Sequence, residues 1–257
     1  MSRPASIDLN ADVGEGSPQE AALIPLVSSV NIACGAHAGD EATMRRSVAL
    51  ALVHDVAIGA HPGFEDRANF GRREVPVSPA EAAYLVISQT ERLQEVAAGL
   101  GAVVGHIKLH GALYNMVARD PALAAAVVAG IGETFRHSAV PMTLVALAGS
   151  VLVAEARRAG LPVVGEAFAD RTYRADGSLT PRTEPGALIT DAAAATAQVL
   201  RIATEGRVVA QDGRSVAGDA RTVCLHGDGP GAVEFALRIR RGLAAEGITI
   251  APPRPLG

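Results

Sequence analysis

Ionisable and amide side chains recur where the short apolar runs of this chain end. Asp8, Asn10 and Asp12 alternate through the first run, so they share one face of an extended segment. Asn31, Cys34 and His37 follow at the second run, and His61 closes the third. His106, Lys108 and His110 alternate along the fourth. Glu166, Asp170 and Arg171 attend the sixth, and His226 and Asp228 the seventh. Histidine moves protons near neutral pH, and a neighbouring Lys or Arg stabilises developing negative charge. The set could therefore perform general acid–base chemistry. Each residue alone also has a plain structural use, as a satisfied core histidine, a carboxylate bracing a loop, or a lysine stem lying on apolar surface. Together, several ionisable groups at one end of one fold would be costly to desolvate without a function.

Two Gly-rich loops add a second theme. Asp12-Val13-Gly14-Glu15-Gly16-Ser17 and His226-Gly227-Asp228-Gly229-Pro230-Gly231 each lead into a helix start. Free N–H groups there suit phosphate or carboxylate, although tight turns need the same residues. No Walker-type or dinucleotide-binding glycine motif, G-x-S-x-G elbow, C-x-x-C or H-E-x-x-H occurs. A metal site could still be assembled from separate strands, with Asp8, His37, His61 and His226 as donors. Cys34 and Cys224 read as small buried thiols rather than nucleophiles.

These residues need a scaffold, and the apolar runs supply it. Strands are expected at 7–11, 30–33, 56–60, 103–109, 142–146, 163–167 and 222–225, with 248–251 as an eighth candidate. Helices are signalled between them. Ser17-Pro18-Gln19-Glu20 and Ser78-Pro79-Ala80-Glu81 read as capping boxes, and Asp40, Asp120, Ser150 and Thr190 as N-caps. Gly160 and Gly206 close two helices, and a last helix follows Pro230 and stops at Gly247. Strands alternating with helices, and apolar throughout, predict parallel βαβ units closed into a (β/α) barrel of about seven strands, one domain over 1–257. Insertions at 63–75 and 168–185 fall over the strand C-termini and are lid candidates. Asp176-Gly177 and Asp212-Gly213 signal hairpin turns.

Composition narrows the function. Lys+Arg number 23 against 27 Asp+Glu, a net charge of -4, which leaves no electrostatic footprint for nucleic acid. Aromatics are only 3% and Trp is absent, which disfavours base-stacking and sugar-stacking surfaces. The start of the chain carries no apolar leader pattern, and residues 139–154 are too short and interrupted to span a membrane. With two Cys and no disulfide framework, a soluble cytoplasmic protein is expected.

Several long blocks resemble the LamB/YcsF family. They are Ile7–Gly16, Val30–Asp40, Gly59–Phe64, Lys108–Asn115, Phe168–Arg171, Asp176–Leu179, Pro181-Arg182 and Leu225–Pro230, in order along almost the whole chain. Ala36 and Leu109 depart from the pattern, where a Phe and a Pro are expected. Neither change removes an ionisable group. The resemblance implies a barrel like those of glycoside hydrolases and deacetylases. It implies ATP-dependent opening of the 5-oxoproline lactam to L-glutamate, carried out with two partner subunits, B and C.

On that reading, His61, Lys108, His110, His226 and Asp8 are the catalytic candidates. Asn10, Asn31, His37, Glu166, Asp170, Arg171, Asp228 and Gly229 would contact substrate or ATP. Asp8, Asp12 and Glu15 would hold the Mg²⁺ that arrives with ATP, with no firmly bound resident metal. Two alternatives stand beside it. One is a metal-dependent carbohydrate or amide deacetylase; the other is a non-catalytic component that presents a surface to B and C.

Overall fold

The computed structural model describes residues 6–138, 140–226 and 231–253. Seven parallel strands close into a barrel: β1 (Ser6–Val13), β2 (Ser29–Ala33), β3 (Ala57–His61), β4 (Val104–Lys108), β5 (Thr143–Leu147), β6 (Val163–Phe168) and, after an insertion, β9 (Ala220–His226), which pairs back onto β1. The short β7 (Arg207–Val209) and β8 (Ser215–Ala217) form the antiparallel hairpin signalled by Asp212-Gly213. The eighth run, β10 (Thr249–Ile250), does not enter the barrel. It pairs with the first two residues of β1 from outside.

The helices cover the outer faces: α1 (Glu20–Leu23), α2 (Glu41–Val53), α3 (Pro79–Ala98), α4 (Gly111–Arg119), α5 (Pro121–Thr134), α6 (Val151–Ala159), α7 (Ala192–Glu205) and α8 (Ala232–Ala245). Most starts are the expected ones. Ser78 and Glu81 exchange both hydrogen bonds of a capping box, and Asp40, Asp120 and Ser150 each accept from the first turn of their helix.

Three details differ from the sequence reading. Ser17 and Glu20 form no capping box. The Glu20 carboxylate instead accepts the Glu15 N–H at 3.0 Å, and Pro25 helps turn the chain into 3₁₀ geometry after a single helical turn. The cap of α7 is Asp191 rather than Thr190. The segment after β4 forms a separate helix, α4, which Asp120 and Pro121 divide from α5.

Outward-facing positions of the strands are apolar and pack under the helices, as Leu9, Ala11 and Val13 do on β1. The barrel interior is different. Barrels of this kind fill their centres with branched apolar side chains. Here β1 presents Asp8, Asn10 and Asp12 inward, and neighbouring strands answer with Ser29, Asn31, His106, Lys108, Glu166 and Thr222, all buried.

Candidate active site

The interior polar groups form one connected network. At its lower end the Asp8 carboxylate accepts from Ser28 Oγ at 2.7 Å, from Ser29 Oγ at 2.9 Å and from the Thr222 hydroxyl. Burial lifts its pKa to about 6, with the hydrogen bonds from Ser28, Thr222 and Ser29 offsetting part of that rise. Two residues further along β1, Asn10 Nδ2 donates to Glu166 Oε1 at 3.0 Å and to Thr222 Oγ1 at 2.7 Å. Asn31 Nδ2 donates to Asn10 Oδ1 and Asp12 Oδ1, both at 2.8 Å, and its own oxygen faces His106 Nε2 at 3.0 Å. Burial, with the Lys108 charge beside it, lowers the His106 pKa to about 3, so this ring is a neutral donor.

Lys108 is the centre of the upper layer. Its Nζ lies 2.8 Å from Asp12 Oδ1, 3.0 Å from Glu166 Oε1 and 2.9 Å from Cys224 Sγ. Burial opposes its charge, but Asp12, Cys224 and Glu166 outweigh that and raise its pKa well above the ordinary value. Burial likewise opposes ionised Asp12, and its interactions with His61 and Lys108 outweigh it and hold its pKa well below the usual range. Tyr114, on α4, donates its hydroxyl to Glu166 Oε2 at 2.8 Å. Both thiols are buried; Cys34 donates to Ile32 O, and burial pushes its pKa to about 12.

Three histidines and Glu15 meet beside this layer. His61 Nε2 lies 3.3 Å from Asp12 Oδ2 and 3.7 Å from Glu15 Oε1. His110 Nδ1 lies 3.3 Å from the same Glu15 oxygen and 3.0 Å from His61 Nε2. His37 stacks on His110 with ring centroids 3.7 Å apart, and its Nε2 is 3.0 Å from Glu15 Oε1. The insertion after β3 closes over these rings. Phe70, at φ +55°, turns its carbonyl to His110 Nε2 at 2.8 Å, and Arg67 ties the loop to the carbonyls of Gly35 and Gly39. Gly71 packs so close that a Cβ there would sit 2.9 Å from His37 Cβ.

Across the barrel mouth, His226 Nδ1 meets both Asp170 oxygens at 2.9 Å, and its ring stacks on Phe168. Burial opposes the Asp170 charge, but His226, Arg182 and Arg171 together lower its pKa. Arg171 is buried and donates to the carbonyls of Ala187 and Thr180, which shapes the second insertion. A pocket of about 820 Å³ opens above all of this. Its floor includes Asp12, His61, Lys108 and His226, and its rim carries Arg72, Arg174 and Arg182.

The structure therefore gathers His61, Lys108, His110 and His226 around one pocket, with Asp12, Glu15, Glu166 and Asp170 as their partners. Asn10 and Asn31 lie beneath, bonded within the barrel. Asp8 stands apart from Asp12 and Glu15, with Ser28, Ser29 and Thr222 around it. Among the described residues, the donor groups compact enough for a metal are Glu15, His37, His61 and His110, and Asp12, Cys224 and His226. Asp8 belongs to neither. Asp228 and Gly229 lie outside the described residues. The glycine loop after β1 presents no long helix start to an anion, since α1 has four residues and Glu20 already takes the Glu15 N–H.

Tyr114, Thr222 and Phe70 belong to the site and carry no sequence assignment. A tyrosine three residues into a helix that follows a strand end was the one available signal for Tyr114.

The LamB/YcsF family profile matches residues 7–256. The chain belongs to the LamB/YcsF family. Among its relatives, a protein of Shouchella clausii named as the A subunit of 5-oxoprolinase is 49% identical over 252 residues, covering 95% of this chain and 97% of that protein. The crystal structure of a lactam utilization protein from Thermus thermophilus superposes with a TM-score of 0.86 at 41% identity, covering 96% of this chain and 99% of that one. A deacetylase solved with its substrate shares the fold alone, at 14% identity and a TM-score of 0.50. Among LamB/YcsF members, then, similarity to this chain runs the length of the barrel and includes a hydrolase component named for a cyclic amide. Among the described residues, no helix is long and apolar enough to cross a membrane.

Proposed function

We propose that this chain is the A subunit of a cytoplasmic, ATP-dependent enzyme that opens the lactam of 5-oxoproline to L-glutamate, with two partner subunits, B and C. The observation that carries this reading is the near-half identity, over 95% of the chain, to a relative named as the corresponding component of 5-oxoprolinase.

The pocket chemistry agrees with it. A five-membered lactam is a stable amide. Transfer of the ATP γ-phosphate to the amide oxygen makes the ring carbon electrophilic. Water then adds to that carbon, the bond to the ring nitrogen breaks as the nitrogen takes a proton, and a second water hydrolyses the resulting acyl phosphate to the carboxylate and free phosphate. Mg²⁺ accompanies the nucleotide and neutralises its phosphates. The rim arginines Arg72, Arg174 and Arg182 suit a carboxylate or phosphate. Lys108, fixed between Asp12 and Glu166, stabilises charge developing on the attacked amide. The His226–Asp170 pair has the arrangement of a proton donor to the ring nitrogen, with the carboxylate fixing the imidazole. The pocket volume falls within the ordinary range for small-molecule sites.

The test is release of glutamate and ADP from 5-oxoproline and Mg-ATP, by this chain alone and with its B and C partners. Equimolar glutamate and ADP from the mixture alone is the expected result. No product from a folded, assembled mixture overturns the substrate assignment and brings a metal-dependent amide hydrolase to the front.

A further inference from the structure

The hydrogen bonds around His61 and His110 fix where their protons are. His61 Nδ1 faces the Lys108 carbonyl at 2.8 Å, and His110 Nε2 faces the Phe70 carbonyl at 2.8 Å. A carbonyl only accepts, so each of these nitrogens carries the hydrogen. In the neutral rings the remaining nitrogens, His61 Nε2 and His110 Nδ1, are lone-pair atoms. They stand 3.0 Å apart, and both face Glu15 Oε1, at 3.7 Å and 3.3 Å. These acceptors converge, with Asp12 Oδ2 also 3.3 Å from His61 Nε2 and the His37 Nε2 donor 3.0 Å from Glu15 Oε1. A cation or a proton suits the two lone-pair nitrogens at their centre.

We propose that Glu15, His61 and His110 form a binding site for one borderline divalent cation of the first transition row, with further coordination positions open towards the pocket. A cation about 2.0–2.2 Å from each donor spans donor–donor edges of roughly 3.0–3.5 Å, close to the three separations seen. Two imidazoles and one carboxylate with open positions are a donor set for Zn²⁺, Fe²⁺, Co²⁺ or Ni²⁺ rather than for the oxygen-seeking Mg²⁺ of a nucleotide. His37 is a positioning residue. Its ring lies within 2° of parallel to His110, so the two cannot both aim an in-plane lone pair at one centre. Its Nε2 instead holds the Glu15 carboxylate at 3.0 Å. With the two carbonyls behind His61 and His110, every ligand then has an outer partner of the kind that metal sites keep. His61 and His110 line the pocket, which gives the ion a path in. The site stands on these contacts and is independent of the lactam reading. It departs from the expectation of no resident metal.

The full chain, stripped with chelator, is titrated with Zn²⁺ by calorimetry and with Co²⁺ by visible absorption. The expected result is one equivalent bound, with cobalt bands showing mixed nitrogen and oxygen ligation. Glu15→Gln keeps the side-chain shape and should weaken binding at least about 100-fold; His37→Gln should weaken it about 10- to 100-fold. Imidazole ¹⁵N NMR of the stripped chain supplies the opposing outcome. Absence of saturable binding, with His61 carrying a proton on both nitrogens, would show that a proton fills the centre and overturn the proposal.

Discussion

His106 occupies the space that a side chain at Gly59 would need. A Cβ built on Gly59 would lie 2.1 Å from His106 Nε2, the atom that faces Asn31. The two residues are register partners on adjacent strands, β3 and β4. Gly59→Ala therefore displaces His106 and the amide network it anchors. The expected loss is about 3 kcal/mol, the upper end for overpacking a core. Urea unfolding checks it. Adding His106→Ala should recover part of the loss, because the clash is shared; strictly additive losses would place the damage elsewhere.

Lys108 separates two buried carboxylates, Asp12 and Glu166. Lys108→Met leaves like charges facing each other without a cation. Stability should fall by about 3–5 kcal/mol, the range for breaking a buried ion pair. Turnover of the assembled enzyme should fall at least about 10²-fold. The double variant Lys108→Met with Glu166→Gln should lose less stability than the single one. If Lys108→Met keeps normal turnover while folded, Lys108 leaves the mechanism.

Asp8 links stability to pH. Its pKa is raised from 3.8 to about 6 in the folded chain, so the native state holds the proton more tightly than the unfolded one. Folding is therefore favoured most below the unfolded value. Stability declines as pH rises from about 4 to about 6, by about 3 kcal/mol in total. Asp8→Asn, which cannot ionise, should flatten that part of the stability–pH curve while leaving the site chemistry in place. Denaturant midpoints across this window decide; an unchanged slope assigns the linkage to other groups.

The His226–Asp170 pair gives a kinetic prediction. His226→Ala removes the proton carrier and should lower turnover in the assembled enzyme about 10²- to 10⁴-fold, the usual range for a general acid or base. His226 is partly exposed, and its replacement should move the unfolding midpoint far less than the change at Lys108. A variant with near-normal turnover would remove the pair from proton transfer.

The seven barrel strands were legible because each is a short apolar run bounded by caps and glycines. The inward face was legible because Asp8, Asn10 and Asp12, and then His106, Lys108 and His110, keep the two-residue period of a strand. What alternation does not encode is depth. Asp8 and Asp12 look equivalent in sequence, yet register pairs Asp8 with Thr222 at the foot of β9 and Asp12 with His226 at its head. The Ser17–Glu20 cap misled because a buried Glu20 found a loop N–H to bind instead. Helix α4 was hidden by the polar motif Lys108–Asn115, and Tyr114 was hidden with it. Phe70 acts through its carbonyl, which no side-chain pattern reveals.

The two cysteines give this barrel a pair of internal clocks. Both thiols are fully buried, Cys224 against the Lys108 ammonium and Cys34 just past the C-terminal end of β2. An alkylating reagent can reach either one only while the surrounding strands part. The labelling rates of Cys224 and Cys34 thus report separately how often the pocket floor and the outer packing at the end of β2 breathe. A substrate seated on the pocket floor should slow the first clock more than the second.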